Sequence, residues 1–324
     1  MKRVIQAVLL VGALAAASCG ASAEYPTRTI TMIVPFAAGG PTDVVARTLG
    51  AAMSKPLGQT VIIENKLGAG GTIAANYVAK ANPDGYTIFI HHTGMATAPA
   101  LYRKLPYNPL TDFEYIGQVA DVPMTMLARK DLPPDNLHDL IAYVKANKER
   151  INLANAGLGA VSQLCGMLFM QAINTELTTV PFQGTGPALT ALLGGQVDVL
   201  CDQTTQTIPH IKGQKVKFYG VTTKQRIAAL PDAPTLDEQG LKDFEVLVWH
   251  GVYTPKGTPK EALDRLNAAL RSALKDPDVA RRFAELGAQI VPEAKQTPAG
   301  LQDWLKSEID KWGPIIRKAG TYAD

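Results

Sequence analysis

Cysteine and charge are both scarce in this sequence. Of 324 residues, three are cysteine, 6% are aromatic and 19% are charged, and the formal net charge is +3. When Lys2 and Arg3 at the N-terminus are set aside, 30 of the 32 basic side chains remain against 29 acidic ones. This balance argues against nucleic acid or an anionic membrane surface as a partner. No histidine or second cysteine lies at ligand spacing from a cysteine, so no metal site is predicted.

The motifs of common enzymes and cofactor sites are also missing. The chain has no G-x-S-x-G nucleophile elbow, no P-loop lysine after a glycine cluster, and no evident pair of carboxylates converging on one loop. The glycine cluster at 68–73 lacks the G-x-G-x-x-G spacing of dinucleotide-binding turns. We therefore predict no cofactor and no catalysis; the alternative is an enzyme, since glycine turns after strands also occur in dinucleotide-binding folds.

The N-terminal residues predict export. Lys2 and Arg3 precede an apolar stretch at 4–17, and small residues at 21–23 match a signal-peptidase site, so residues 1–23 are predicted to be a signal peptide. An alternative is acylation of Cys19, although Ala16 stands where a leucine is usual. The apolar stretch is shorter than the ~20 residues that cross a bilayer, and no later uncharged segment reaches that length. We expect a soluble protein in the periplasm.

Two cysteines remain outside this segment. An even count in an exported chain favours a disulfide between Cys165 and Cys201, and the alternative is two buried free thiols. The bridge would close a 36-residue loop, which the chain-entropy model equates with roughly 4 kcal/mol.

Glycine turns between strands and helices dominate the rest of the pattern. The apolar run that ends at Pro35 is followed by Gly39 and Gly40, and Pro41 suits a first helical position. Free backbone N–H groups at such a helix start favour a carboxylate or phosphate by roughly 0.3 to 2 kcal/mol. Similar turns follow the predicted strands at 61–65, 151–154, 177–181 and 196–200. The βαβα alternation predicts parallel sheets with helices on both faces and ligands beyond the carboxyl ends of the strands.

The length exceeds what one core normally organises, so two domains are expected. The pattern predicts a first α/β domain at 24–119, a second at 120–240, and a return segment with amphipathic helices at 241–324 that packs on the first. Two crossing segments would then form a hinge.

Several short motifs follow one another along the chain: VPFAAGGPTD (34–43), ENK (64–66), GAGG (68–71), LPYNP (105–109), VPFQG (180–184), GGQVD (194–198) and LPDAPTL (230–236). This ordered set resembles the Bug-type periplasmic receptors of tripartite tricarboxylate transporters. The resemblance covers essentially the whole chain after the signal segment. It implies a two-domain α/β periplasmic-binding-protein architecture of type II, a Venus flytrap with its cleft between two doubly wound domains. It also implies capture of a small organic acid by domain closure and delivery to a membrane permease.

Carried over position by position, the resemblance implies two ligand loops on the first domain, made of Phe36, Ala38, Gly39, Gly40 and Asp43 and of Gly70, Gly71 and Thr72. Facing them we place residues of the second domain: Ala160, Ser162, Gln163, Gly184, Thr185, Gly186, Asp202 and Thr204. Hydroxyl and amide groups among these can donate to ligand oxygens, or can simply cap their helices.

Two kinds of titratable side chain leave alternatives open. Asp43 either holds a water, a ligand hydroxyl or a ligand amine, or satisfies the N–H groups of its own helix start. His91, His92 and Thr93 lie where the third strand should end, so each is a candidate ligand contact, and we assign His91 and Thr93 to the site; His250 is a further candidate. For each histidine the alternative is a core side chain.

The expected partners are a small organic acid, which can be a di- or tricarboxylate or an aromatic carboxylate, and a membrane permease. We expect a monomer. A ligand sensor that presents its closed form to a membrane signalling partner would have the same sequence features and is the remaining alternative.

Overall fold

The computed structural model describes residues 24–320 and Tyr322. The predicted signal peptide and the alternative acylation of Cys19 lie outside these residues.

The strands are β1 (Ile30–Val34), β2 (Val61–Asn65), β3 (Thr87–His92), β4 (Phe113–Arg129), β5 (Asn152–Asn155), β6 (Thr178–Pro181), β7 (Val199–Gln203), β8 (Val216–Val221), β9 (Leu247–Pro255) and β10 (Gln289–Ile290). The helices are α1 (Pro41–Leu57), α2 (Thr72–Ala79), α3 (Gly94–Leu101), α4 (Leu137–Ala146), α5 (Val161–Ala172), α6 (Thr185–Leu193), α7 (Thr204–Lys212), α8 (Lys260–Lys275), α9 (Pro277–Glu285) and α10 (Pro298–Ala319).

Local chemistry explains where these elements begin and end. Helix α1 begins at Pro41, whose fixed φ suits a first helical position, and ends at Gly58, which has the left-handed φ of +66°. Helix α8 is amphipathic: its Leu266, Leu270 and Leu274 are buried while charged residues cover the other face. These apolar stripes pack the C-terminal helices against the sheet.

The strands form two sheets that share β4. The first lobe is built on the order β2-β1-β3-β9-β4-β10 and the second on β8-β4-β7-β5-β6. Residues up to Pro123 of β4 pair with β9, and residues from Met124 onward pair with β7 and β8. The return passage precedes β9, which begins at Leu247. The structure thus has the two-lobed α/β architecture that the motif resemblance implied.

The expectation of purely parallel sheets is wrong in part. Strands β2, β1 and β3 are parallel, as are β6, β5 and β7, but β4, β8, β9 and β10 pair antiparallel with their neighbours. The reason is that a parallel neighbour requires a crossover, usually a helix, whereas β4 runs from one lobe into the other and β9 enters the first lobe directly from the return passage.

One side chain joins the two passages between the lobes. The Thr222 hydroxyl donates to the Val246 carbonyl oxygen at 2.6 Å and accepts from the Met124 amide at 3.1 Å. The Thr222 amide also donates to the Met124 carbonyl oxygen at 2.9 Å, and the Val246 amide donates to the Thr222 carbonyl oxygen at 3.1 Å. Thr222 is fully buried, so these bonds hold the crossing segments together.

The predicted disulfide is confirmed. Cys165 on α5 and Cys201 on β7 are bonded, with Cα atoms 6.2 Å apart. Both cysteines are fully buried. In the described part of the chain, the helices all fall short of the length or apolar character needed to cross a membrane.

Candidate functional site

The loop between β1 and α1 is fixed by Asp43. Its carboxylate accepts from the Gly39 amide at 2.9 Å, from Arg47 Nε at 2.8 Å and from Asn65 Nδ2 at 2.9 Å, and Asn65 Nδ2 also donates to the Phe36 carbonyl oxygen. Burial alone would raise the pKa of Asp43, but the hydrogen bonds from Arg47, Gly39 and Asn65 outweigh it and lower that pKa. These contacts are structural: the carboxylate fixes the turn that precedes α1 and does not cap the helix itself.

The second loop, between β2 and α2, lies directly against the other lobe. Gly68, Gly70 and Gly71 all have positive φ, and a Cβ built on Gly70 would overlap the Leu158 carbonyl oxygen. The Tyr102 hydroxyl lies 2.7 Å from the Ala69 carbonyl oxygen and 2.9 Å from that of Leu158, so it joins the two lobes at the rim.

Two turns of the second lobe face these loops. In the turn before α5, the Ala156 amide donates to the Ser162 hydroxyl at 2.7 Å. In the turn before α6, the Gln183 carbonyl oxygen accepts from the Ala37 amide at 3.2 Å, and a Cβ on Gly184 would lie 3.2 Å from the same amide nitrogen. The lobes therefore touch through backbone, and the structure is that of a closed cleft.

Two cavities lie in this cleft, and both are bordered by Phe36 and Ala156. The outer cavity has a volume of about 300 Å³ and is lined further by Gly68, Ala69, Gly70, Gly71, Tyr102, Gly157, Leu158, Pro181, Phe182 and Gln183. The inner cavity has a volume of about 20 Å³ and is lined further by Pro41, Thr42, His92, Met124, Ala160, Val161, Ser162, Thr185, Asp202 and Gln203.

The linings contain few charges. Among these lining residues there is no lysine, arginine or glutamate, and Asp202 is the single acidic residue. Helices α1, α2, α5, α6 and α7 begin around the cleft, and within the described chain none of them has a side-chain cap. By contrast α4, α10 and α9, which begin elsewhere, are capped by Asn136, Thr297 and Asp276, although α8 is not. An anion in this cleft would therefore be held by backbone N–H groups and hydroxyls.

The three candidate histidines are buried together, but only His92 borders a cavity. Its ring stacks on Phe36 with centroids 4.8 Å apart, and its Nδ1 accepts from the Gly94 amide. The His91 ring meets Phe36 edge-on with centroids 5.9 Å apart, and its Nδ1 accepts from the His92 amide. His250 Nε2 lies 3.2 Å from the Thr42 hydroxyl. Burial lowers the pKa of His92 to about 3 and those of His91 and His250 well below their ordinary value. All three are neutral at physiological pH.

The pKa of Asp202 is raised, in contrast to those of the histidines. The residue is fully buried at the end of β7, where Oδ1 accepts from the Gln203 amide at 2.7 Å. Burial raises the pKa of Asp202 to about 7, although the Thr185 hydroxyl and the Gln203 amide lower it in part. Its neighbour Thr204 points elsewhere, since a Cβ on Gly287 would lie 3.1 Å from the Thr204 hydroxyl.

The structure brings some of the predicted residues into the cavity walls and leaves others outside. Those that line a cavity are Phe36, Gly70, Gly71, Ala160, Ser162, Thr185 and Asp202. Those outside both linings are Ala38, Gly39, Gly40, Asp43, Thr72, His91, Thr93, Gln163, Gly184, Gly186 and Thr204. Gly40 and Gly186 nevertheless face each other across the cleft. Gln163 lines a separate groove with Met167 and Met170, and the Thr93 hydroxyl accepts from the Trp249 amide.

Sequence reasoning missed several lining residues. Tyr102 follows α3 and carries no local signal, because its place at the rim depends on how the lobes meet. Gln203 and Met124 are likewise placed by strand register. Phe182 and Gln183 belong to a motif that the sequence singled out, so these two had a signal that pointed to them.

The comparisons with known proteins agree with this architecture. The profile of the tripartite tricarboxylate transporter family receptor, TctC, matches residues 45–321. A UPF0065 protein from the ttuE-ttuC' intergenic region of TAR-I of Agrobacterium vitis is 48% identical and aligns with 97% of this chain and 91% of its own length.

Two solved structures are similar over most of the chain. The periplasmic binding protein BugD is 50% identical with a TM-score of 0.90, over 92% of this chain and 99% of its own. MatC of Rhodopseudomonas palustris, determined with bound malate, is 44% identical with a TM-score of 0.86, over 90% of this chain and 100% of its own. These proteins are substrate-binding proteins and not enzymes. This chain belongs to the TctC family of tripartite tricarboxylate transporter receptors and has the fold of a two-lobed periplasmic binding protein.

Proposed function

We propose that this protein captures a small organic acid in the cleft between its lobes and delivers it to the membrane components of a tripartite tricarboxylate transporter. The observation that carries the proposal is the set of uncapped helix N-termini around a cleft whose lining has no cationic side chain among the described residues. Such a site binds negative charge through backbone N–H groups and helix dipoles.

The ligand class follows from the size and chemistry of the cleft. An outer cavity of about 300 Å³ is at the lower end of ordinary ligand sites, so it suits a small acid. We place one carboxylate at the turn of Gly70–Gly71, which lines the outer cavity, and a second polar end at Ser162 and Thr185, which line the inner cavity. The malate bound to MatC supports a dicarboxylate, and an aromatic carboxylate would satisfy the same donors.

Binding would act through closure. The hydrogen bonds between the Ala37 amide and the Gln183 carbonyl oxygen and between the Tyr102 hydroxyl and the Leu158 carbonyl oxygen exist only when the lobes meet. A ligand that also touches both lobes therefore shifts the population toward the closed form. The domain limits near 120 and 240, export to the periplasm with cleavage after Ala23, and a monomeric state are further parts of this proposal.

The first test uses protein from full-length expression, purified from the periplasmic fraction. Thermal unfolding is followed against a panel of small carboxylates, because a ligand at 100 times its dissociation constant adds about 2.7 kcal/mol. We expect one chemical class to raise the midpoint and to bind stoichiometrically in calorimetry without being consumed. A panel in which no acid raises the midpoint, or in which the ligand is turned over, contradicts the proposal.

Delivery needs a second test. The permease of the same organism is reconstituted in liposomes, and uptake of the identified acid is measured with and without the receptor. Uptake that depends on the receptor supports delivery. Uptake that is independent of it would leave a binding protein without this transport role.

A further inference from the structure

Exposed apolar side chains are grouped around the loop between β2 and α2. The large apolar residues of the described chain that are more than a third exposed include Ile62, Leu67, Ile73, Tyr77 and Leu158. Ile73 and Tyr77 are one turn apart on α2 and are 50% and 44% exposed. A Cβ built on Gly68 would lie 2.5 Å from Ile73 Cδ1, so the Ile73 side chain lies over this loop. Apolar residues scattered singly over a surface are ordinary, whereas a contiguous group marks an interaction site.

Leu158 continues this surface on the second lobe. Its carbonyl oxygen lies against Gly70, so Leu158 adjoins the same loop as Ile73 in the closed structure. Leu158 also borders a groove of about 510 Å³ that contains Met167 and Met170. Separation of the lobes would take Leu158 away from the loop, so the apolar surface is complete only in the closed form. We call Leu67, Ile73, Tyr77 and Leu158 the rim patch.

A groove beside the rim patch is cationic. It has a volume of about 820 Å³ and is lined by Ile73 and Tyr77 together with three basic residues and one acidic residue, namely Arg28, Lys66, Lys80 and Asp84. The ion pair of Arg28 with Asp84 spans 3.1 Å, and that of Lys66 with Glu64 spans 3.4 Å. Such exposed pairs are weak, so the cations remain available to a partner. The Lys66 ammonium lies only 4.1 Å from the centre of the Tyr77 ring, which places positive charge on the apolar surface itself.

We propose that the rim patch is the docking surface for a periplasmic segment of the transporter's membrane component. The segment presents apolar side chains to the patch and acidic side chains to Lys66 and Lys80. The inference rests on the proposed function, since it takes the membrane component as the partner. Because Leu158 joins the patch only on closure, the segment distinguishes the ligand-loaded receptor from the open one.

Charge and size both bear on the kind of partner. A second copy of this chain fits poorly, because a two-fold contact through the patch would set the same lysines against each other. A partner with acidic side chains meets no such repulsion. The four side chains of the patch are a small part of the ~800 Å² per partner that a stable complex buries. The contact is therefore transient, as repeated delivery requires.

The test measures binding of the receptor to the membrane component of the same organism, held in lipid nanodiscs, with and without the acid identified by the thermal panel. Ile73→Gln and Tyr77→Gln are combined in one patch variant, because both residues are exposed and lie outside the two cavity linings. The matched control combines Leu193→Gln and Ile315→Gln, which are 41% and 38% exposed on α6 and α10.

We expect the acid to tighten binding of the wild-type protein to the nanodiscs. The patch variant should raise the dissociation constant for the loaded nanodisc complex at least tenfold, whereas the control should change it less than twofold. Calorimetry should give both variants an affinity for the acid within threefold of the wild type. This result separates docking from ligand capture.

Lys80→Glu tests the charge of the partner, and Lys306→Glu, exposed on α10, is its matched control. Lys80→Glu should weaken docking at least threefold at low ionic strength. The loss should shrink at about 1 M salt, where the Debye length falls to about 3 Å. If Lys80→Glu strengthens docking instead, the partner segment is basic and the assignment of an acidic segment is wrong.

The remaining outcomes separate the inference from the proposed function. If the loaded wild-type protein binds the nanodiscs and the patch variant binds them as tightly, the rim patch is not the docking surface, while the proposed function stands. If the wild-type protein binds equally well with and without the acid, docking does not depend on closure. If sedimentation shows a wild-type dimer that the patch variant loses, a second copy occupies the patch. If the wild-type protein binds the acid but never the nanodiscs, delivery itself fails and the inference falls with it.

Discussion

Gly70 lies directly against the other lobe. Its φ is +59°, and a Cβ there would overlap the carbonyl oxygen of Leu158 on the other lobe. Gly58 is a natural comparison, because its φ is +66° but no described atom lies within 4 Å of a Cβ built on it. A side chain at Gly58 therefore introduces backbone strain alone, whereas a side chain at Gly70 also obstructs the contact between the lobes.

Gly70→Ala should abolish closure and lower ligand affinity at least a hundredfold. Gly58→Ala should cost about 1 kcal/mol of stability through its left-handed φ and leave the affinity unchanged. Calorimetric titration with the acid identified above, together with thermal unfolding, measures both effects. Equal affinities for the two variants would show that Gly70 does not lie in the closing interface.

Asp202 makes a prediction about pH. Burial raises its pKa from 3.8 to about 7 in the folded protein, so across roughly pH 4 to 7 the folded state holds a proton that the unfolded chain has released. This contribution makes the ligand-free protein less stable as the pH rises through that window. Asp202→Asn has no such proton.

The thermal unfolding midpoint of Asp202→Asn minus that of the wild type should therefore increase between pH 5 and pH 8. Scanning calorimetry of both proteins without ligand at pH 5, 6.5 and 8 measures the difference, in which other titrating groups largely cancel. A difference that is constant with pH would mean that Asp202 titrates near its ordinary value.

At the scale of elements, the hinge depends on Thr222. Thr222→Val keeps the shape but removes a hydroxyl that bonds to Met124 and Val246, so we expect a loss of about 1 to 3 kcal/mol in the free energy of unfolding. Thr254→Val is the matched control, because the Thr254 hydroxyl is buried without a partner in the described chain. Guanidinium unfolding should show Thr254→Val to be neutral or stabilising. If Thr222→Val and Thr254→Val lose a comparable free energy of unfolding, the hydrogen bonds of the Thr222 hydroxyl are not what stabilises the connection between the lobes.

The disulfide joins α5 to β7, the two elements that place Ser162 and Asp202 at the inner cavity. Replacing both cysteines by serine should lower the unfolding midpoint by on the order of 10 °C, because the bridge closes a 36-residue loop worth roughly 4 kcal/mol. Calorimetry of the double variant, with reduced wild-type protein as a second comparison, measures this. An unchanged midpoint would show that packing alone holds α5 on β7.

At the scale of the whole molecule, closure brings an apolar contact together. Trp312 on α10 of the first lobe is buried in a cluster with Leu164 on α5 of the second lobe. Its indole also donates to Glu308, which accepts from Trp249 as well. This cluster contains residues of both lobes and therefore forms only when the lobes meet.

Ligand addition should thus reduce the radius of gyration in X-ray scattering and shift tryptophan emission to shorter wavelength. Trp312→Phe should remove most of the emission change but keep the change in scattering, since Trp249 stays in the core. If the emission change persists in Trp312→Phe, another tryptophan is responsible for it. If ligand leaves the radius of gyration of the wild-type protein unchanged, the lobes do not close on binding.

Much of this protein is determined locally. The glycine turns, the proline at the start of α1 and the amphipathic C-terminal helices follow from φ preferences and side-chain periodicity, which act over a few residues. The order of the motifs was enough to indicate the family. The count and position of two cysteines were enough to suggest their pairing, because few partners were available.

The tertiary structure decided which side chains reach the ligand. Neighbours on a strand point to opposite faces, so only sheet register sends Cys201 to its disulfide and Asp202 to the cavity. Ser162 and Gln163 are consecutive residues of α5, yet Ser162 lines the inner cavity and Gln163 lines a separate groove. The pairing of Gly70 with Leu158 depends on how two lobes meet, and local propensity carries no information about contacts between residues so far apart in the chain.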